Sequence, residues 1–190
     1  TFSDVTMQSG TNIIGRVMEA NSQGSPTWTD IDQDGNIDML VTNEGVPNVL
    51  FLNNGDGTFK DITRSRKPPS GLVFINPGTA HGACVGDIDN DSDMDLYFPS
   101  ADQANRMYLS QLAESGEVTY KDVTLTSGAA DDRGARGCTM ADFDNDGFMD
   151  IYVNNGGPSN VLINDVINSL PIFVQFYIAW EPDYNALYRN

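Results

Sequence analysis

The sequence predicts an all-β chain of short antiparallel strands grouped into small repeated sheets. Three observations carry that expectation: an aspartate pattern that recurs three times, β-prone runs at fixed distances from each recurrence, and 18 glycines spread through 190 residues as turn punctuation. No segment carries a sustained helical period.

The pattern is Asp-x-Asp-x-Asp-x-x-x-Asp. It occurs as Asp30, Asp32, Asp34 and Asp38, as Asp87, Asp89, Asp91 and Asp95, and as Asp142, Asp144, Asp146 and Asp150, with starts 57 and 55 residues apart. An apolar run follows each one at once: Met39-Leu40-Val41, Leu96-Tyr97-Phe98 and Ile151-Tyr152-Val153. Ten residues after each last Asp, an Asn (Asn48, Asn105, Asn160) opens a second run. A third strand signal, Thr-aromatic-x-Asp-Ile/Val-Thr, spans Thr58 to Thr63 and Thr119 to Thr124 and recurs at Thr1 to Thr6. Asn53-Asn54-Gly55-Asp56-Gly57 reads as the hairpin turn before the first of these. The unit is thus about four short strands, and stacked units of this kind predict β-propeller-like blades.

The expected organisation is a single domain, 1–190, with repeats near 1–57, 58–118 and 119–164 and a degenerate fourth copy over 165–190. Aligning Asn185 with Asn160 puts Phe176-Tyr177-Ile178 on the Ile151 run and Gln175 where the last Asp would stand, so this copy has lost its acidic loop.

Asp plus Glu total 27 against 10 Lys plus Arg, a formal charge of −17, which argues against nucleic acid or anionic lipid as a partner and for cations. The most apolar stretch, Leu170 to Trp180, is too short to span a bilayer and contains Pro171 and Gln175, so no membrane insertion is expected.

Carboxylates at positions 1, 3, 5 and 9 of a tight loop offer hard oxygen ligands converging on one point, which suits Ca²⁺ better than zinc or copper. About three ions are expected, one for each loop. Position 7 would add a backbone carbonyl, from Asn36, Asp93 and Phe148. Position 6 needs a positive φ and is Gly35 and Gly147 in two loops, but Ser92 in the second, at a cost of about 1 kcal/mol if the turn is kept. An EF-hand is excluded, because position 12 is Val41, Phe98 or Val153 rather than a bidentate Glu.

These loops, with Asn48-Val-Leu-Phe-Leu-Asn53 and Gly55-Asp-Gly-Thr-Phe-Lys-Asp-Ile-Thr63, resemble the FG-GAP/VCBS repeats of integrin α-subunit propellers, and especially the cartilage-acidic-protein-like group. The resemblance covers about residues 1 to 164. It implies propeller blades, Ca²⁺ in the loop between adjacent strands, and an extracellular or cell-surface recognition and adhesion module. Propellers of that family usually have seven blades, more than this chain supplies.

No nucleophile elbow, phosphate-binding loop or His-Glu-x-x-His is present, and the one histidine, His81, reads as a surface or packing residue, so no catalysis is expected. Cys84 and Cys138 lie three and four residues before their loops; strand alternation sends them to opposite faces and favours buried thiols over a mutual disulfide. Trp28, Val85 and Met140, each two before the first Asp, are expected to fill the core between blades. The expected function is a calcium-binding extracellular module that meets a protein or glycan partner. The alternative is a structural subunit that binds copies of itself head to tail, its C-terminal strand pairing with the strand at Thr1 to Thr6.

Overall fold

A computed structural model of the chain describes residues 2–11, 24–63, 80–132, 134–155, 160–167 and 170–177, the last two stretches as backbone strands. Among the described residues the fold is all-β apart from two single-turn helices. The first sheet holds β1 (Pro26–Thr29), β2 (Asp38–Val41), β3 (Val49–Asn53) and β4 (Phe59–Asp61). The second holds β5 (Cys84–Gly86), β6 (Asp95–Phe98), β7 (Arg106–Ser110) and β8 (Tyr120–Asp122), with α1 (Leu112–Ser115) between β7 and β8 and α2 (Thr124–Ser127) after β8. The third holds β9 (Ala135–Ala141), β10 (Asp150–Asn155), β11 (Asn160–Ile167) and β12 (Leu170–Tyr177). Every neighbouring pair is antiparallel and sequential, so each sheet is a four-stranded meander.

The strands begin and end where the polar residues dictate. The Asn that opens the third strand of a sheet is a turn clamp: Asn48 Oδ1 accepts the Asn43 N–H at 2.9 Å, and Asn105 Oδ1 accepts the Ser100 N–H at 2.8 Å. Both side chains are buried, so each stitch satisfies a backbone donor that water cannot reach. In the first hairpin, Asp56 Oδ1 accepts the Thr58 N–H at 2.9 Å while Gly55 and Gly57 take positive φ.

The sheets pack face to face, with β1 against β5 and β5 against β9. Alternation along the strands of the middle sheet feeds two cores. Leu96, Phe98, Tyr108 and Tyr120 join Ile31, Leu40 and Leu50 of the first sheet. Tyr97, Met107 and Leu109 join Ile151 and Val153 of the third. All four residues of β6 are consequently buried, and each fully buried Leu or Phe side chain contributes about 1.5–3 kcal/mol. The Tyr97 hydroxyl, buried with its ring, donates to Ala129 O at 3.0 Å and accepts from Asn105 Nδ2 at 2.9 Å.

The flanking sheets are covered on one face among the described residues. Trp28 corresponds by position to Val85 and Met140, which pack toward the preceding sheet, yet it is exposed and meets Phe59 edge-on at 6.2 Å. The expectation that it fills a core fails because no described sheet precedes it. Phe143 and Tyr152 are exposed on the opposite flank, although their counterparts Ile88 and Tyr97 are fully buried.

Cys84 and Cys138 form a disulfide, with Cα atoms 5.9 Å apart, correcting the expectation of free thiols. The alternation argument placed the two on opposite faces of their strands. It erred in treating opposite faces as pointing apart: β5 and β9 lie in different sheets stacked against each other, so the rear of one faces the front of the next. Gly86 lies on the same face of β5 as Cys84, and a Cβ there would come within 3.0 Å of Met140 Sδ on β9.

Two further expectations change at the ends. Leu170–Tyr177, part of which was aligned with a fourth copy, is the outer strand of the third sheet, paired with β11 along its whole length. The rest of that alignment, from 178 on, lies outside the described residues. Near the start, residues 2–5 form no strand and 6–10 form a turn, with Thr1 outside the described residues. A strand needs a partner for its backbone, and residues 2–5 have none among the described strands. The segment nonetheless repeats the chemistry of β8 and α2: Ser9 N–H donates to Val5 O at 2.8 Å as Ser127 N–H does to Val123 O at 2.9 Å, and Gly10 and Gly128 share a φ of 76°.

Candidate metal loops

The three acidic segments join the first two strands of their sheets: loop one (Asp30–Asp38), loop two (Asp87–Asp95) and loop three (Asp142–Asp150). One hydrogen-bonding plan builds all three. Both carboxylate oxygens of the first Asp accept backbone N–H groups from positions 5 and 6, at 3.1 and 2.9 Å for Asp30, 3.0 and 3.0 Å for Asp87, and 3.1 and 3.0 Å for Asp142. The Asp at position 5 accepts the N–H of position 7: Asn36 to Asp34 at 2.8 Å, Asp93 to Asp91 at 3.0 Å, and Phe148 to Asp146 at 2.9 Å. Asn36 adds a side-chain bond to Asp34, and with the backbone bond it draws that carboxyl below its usual range.

Position 9 does more than the sequence suggests. Asp38, Asp95 and Asp150 are buried, and Oδ2 of each accepts the N–H of position 2, from Ile31, Ile88 and Phe143 at 2.8, 2.7 and 2.8 Å. Oδ1 of Asp38 also accepts from Asn53, and Oδ1 of Asp95 from Ser110, both at 2.8 Å, so each ties its loop to the end of the third strand. Burial raises the Asp38 carboxyl and pushes that of Asp95 up to about 8.

Position 3 is the least satisfied. Asp89 Oδ1 and Asp144 Oδ1 are buried without a hydrogen-bond partner, as is Asp91 Oδ2 at position 5. Burial, then the charges of Asp91, Asp93 and Asp87, push Asp89 up to about 6; burial first and then Asp38 raise Asp32. Carboxylate oxygens converge within 4.8 Å from Asp30, Asp32 and Asp38, from Asp87, Asp89 and Asp95, and from Asp142, Asp144 and Asp146. Oxygen-only donor sets fit a hard divalent cation, and each set could hold one; in loops two and three the acidic loop also has buried carboxylate oxygens without a hydrogen-bond partner.

Position 6 has positive φ throughout: 91° at Gly35, 92° at Gly147 and 77° at Ser92, so the serine does bear the left-handed conformation. Sequence reading missed that position 4 is also left-handed, with φ of 58° at Gln33, 60° at Asn90 and 62° at Asn145. Asparagine in two of the three was the available signal, since it tolerates that region. The side chain at position 4 also reaches the next loop. Gln33 Nε2 donates to Ser92 O, and Asn90 Nδ2 donates to Gly147 O at 3.0 Å. The loops therefore lie side by side at one end of the stacked sheets. His81 is half-buried, outside the three loops.

Comparison with known proteins agrees with this geometry. Residues 30–98 match the model of an FG-GAP-like repeat. Cartilage acidic protein 1 of Xenopus tropicalis is 32% identical over 125 residues, 64% of this chain and 18% of that protein. The protein of the same name from Homo sapiens is 31% identical over 120 residues, and that from Mus musculus 29% over 120, each alignment covering 62% of this chain and 17% of the relative. The chain thus spans less than a fifth of the length of these relatives. The span matched by the repeat model runs from the first residue of loop one to the last residue of β6 and takes in two of the three loops, so residues 30–98 are similar in sequence to an FG-GAP-like repeat.

Proposed function

We propose that each loop holds one Ca²⁺. The ligands would be Asp30, Asp32, Asp34, Asp38 and the Asn36 carbonyl in loop one; Asp87, Asp89, Asp91, Asp95 and the Asp93 carbonyl in loop two; and Asp142, Asp144, Asp146, Asp150 and the Phe148 carbonyl in loop three. The chain would then be part of a calcium-stabilised, non-catalytic recognition or adhesion module outside the cell, meeting a protein or glycan partner. The observation that carries this reading is the partnerless state of the buried oxygens of Asp89, Asp91 and Asp144, in loops whose other carboxylate oxygens are largely held by backbone N–H groups. Two carboxylates 4 to 5 Å apart repel by about 4 kcal/mol at an effective dielectric near 20, and a bound cation reverses that sign. The disulfide supports an oxidising compartment. Exposed oxygen-only sites work at ~0.1–1 mM calcium, an extracellular level, and the name of the relatives ties them to cartilage. Thermal melting of the chain with calcium and with chelator tests the reading: a higher melting temperature in calcium is expected, and melting indifferent to chelator overturns it.

A second reading, self-assembly, has its own support in the two uncovered flanks. Trp28 lies on one and Phe143 and Tyr152 on the other, at positions that are packed between sheets elsewhere in the same molecule. Residues 4–10 also repeat the β8–α2 corner, with Val5 exposed where Val123 is buried. A further sheet of the same kind would cover each flank, supplied by more repeats or by another copy of the chain. Sedimentation before and after removal of residues 1–10 tests the second source: loss of polymers supports it, and a chain that is monomeric throughout excludes it.

A further inference from the structure

We propose that loop two carries an additional Ca²⁺ site, formed by Asp91, Asp93 and Glu114 beside the site of Asp87, Asp89 and Asp95. Carboxylate oxygens of the three approach within 4.8 Å of one another. The cluster is particular to loop two, because position 7 is Asn36 in loop one and Phe148 in loop three.

Asp93 is 1% exposed. Its Oδ2 accepts the Ala113 N–H at 3.0 Å, whereas its Oδ1 is buried with no hydrogen-bond partner. Asp91 repeats the arrangement, with Oδ1 accepting the Asp93 N–H and Oδ2 buried and unpartnered. Glu114 follows Ala113 in α1, so the turn that anchors Asp93 also delivers the third carboxylate. Among the described residues, no Lys or Arg pairs with any of the three.

A buried acid with one oxygen unpartnered and two other acids at hand must be neutralised by a proton or a cation. Three converging oxygen donors select a hard cation, and the exposed position of Glu114 leaves room for the waters that complete a calcium shell. This site is weaker than the loop sites, because it has fewer protein ligands and one of them is exposed to solvent. The inference rests on the proposed loop sites, since Asp91 serves both.

Calcium titration of the full chain by calorimetry, with native mass spectrometry to count ions, compares the unaltered chain with Glu114→Gln and with Glu117→Gln. Glu117 is an exposed acid outside the cluster and controls for the loss of one charge. The expected result is that Glu114→Gln removes one ion, or weakens the weakest step at least tenfold, while Glu117→Gln leaves the ion count intact. Asp93→Asn is expected to remove the same ion; should it fail to fold, the exposed Glu114 variant still decides. If Glu114→Gln keeps the ion count and every step within twofold, or if Glu117→Gln reproduces its effect, the extra site is overturned and the loop sites stand. If the unaltered chain binds no calcium, both are overturned.

Discussion

Loops one and two share a backbone and differ in their surroundings. Loop one hangs from a sheet covered on one described face, and it relaxes its position 7 to Asn36. Loop two hangs from a sheet covered on both, carries a fifth acid in Asp93, and keeps a serine where a glycine turns most easily. The burial that makes the middle sheet the core of the molecule also withholds water from its carboxylates, so Asp89 and Asp95 are raised to about 6 and about 8. The lesson is that a repeated motif is not a repeated site: the same four aspartates have a different electrostatic character when neighbouring sheets close over them.

The largest effect should come from the disulfide, which joins the strands leading into loops two and three and leaves loop one alone. Bridging a sequence separation of 54 stabilises by about 4 kcal/mol in the chain-entropy treatment. Replacing Cys84 and Cys138 with alanine should lower stability by roughly that amount in denaturant titrations, with hydrogen exchange rising first at β5 and β9 rather than β1. Equal loss of protection in all three sheets would erase the distinction between loops.

Next in size is the exchange of position 3. Asp89→Asn and Asp32→Asn each remove one loop carboxylate, and in calcium at a hundredfold its dissociation constant each should forfeit about 2.7 kcal/mol of linked stability. In chelator the two should diverge, Asp89→Asn raising the melting temperature more than Asp32→Asn because its charge is the more deeply buried. Matching shifts would show that the covering sheets do not matter.

Acidity sharpens the same contrast. Asp89 and Asp95 have folded pKa values above the unfolded value of 3.8, so the metal-free fold binds protons more readily than the unfolded chain. Its stability should therefore rise as pH falls from 8 toward 5 and decline again as pH climbs through those values. With calcium saturating at pH 8, acidification should act in the opposite direction, since protons displace the ion. Melting curves at pH 5 and 8, with and without chelator, should cross.

The smallest effect is expected at Ser92. A left-handed non-glycine residue costs about 1–2 kcal/mol, and a glycine returns part of that gain through its more flexible unfolded state. Ser92→Gly should thus stabilise by about 0.5–1 kcal/mol and tighten calcium in loop two. A calorimetric titration giving unchanged or weaker affinity would remove strain from the account.

Much of this was legible because the repeat is written in residues whose chemistry is local. The Asp spacing fixed where each loop lies, Gly35 and Gly147 marked a left-handed position, and the Asn-opened runs announced β3, β7 and β11. Relations between sheets were harder to read. Cys84 and Cys138 had opposite alternation, which one strand reads as separation and two stacked sheets read as contact. Nothing in the local sequence marks Gln33 or Asn90 as a link between loops, because their acceptors are carbonyls of the next loop, 59 and 57 residues away. Residues 165–190 read as a degenerate fourth copy because Asn185 aligns with Asn160 and puts Phe176-Tyr177-Ile178 on the Ile151 run; the pairing of Leu170–Tyr177 with β11, which that alignment does not contain, places this strand in the third sheet.

The disulfide also governs how the molecule would bear a load. A pull applied through residues outside the bridged span travels from Cys84, at the start of β5, to β9 across the sulfur bond and bypasses the rest of the middle sheet, so β6, β7, β8 and loop two carry no tension. The flanking sheets would yield first, and the span of 54 residues, ~180 Å of extended chain at 3.3–3.6 Å per residue, would stay withheld from the extension. In a force-extension record the oxidised chain should come up short by that length, and a reducing agent should restore it.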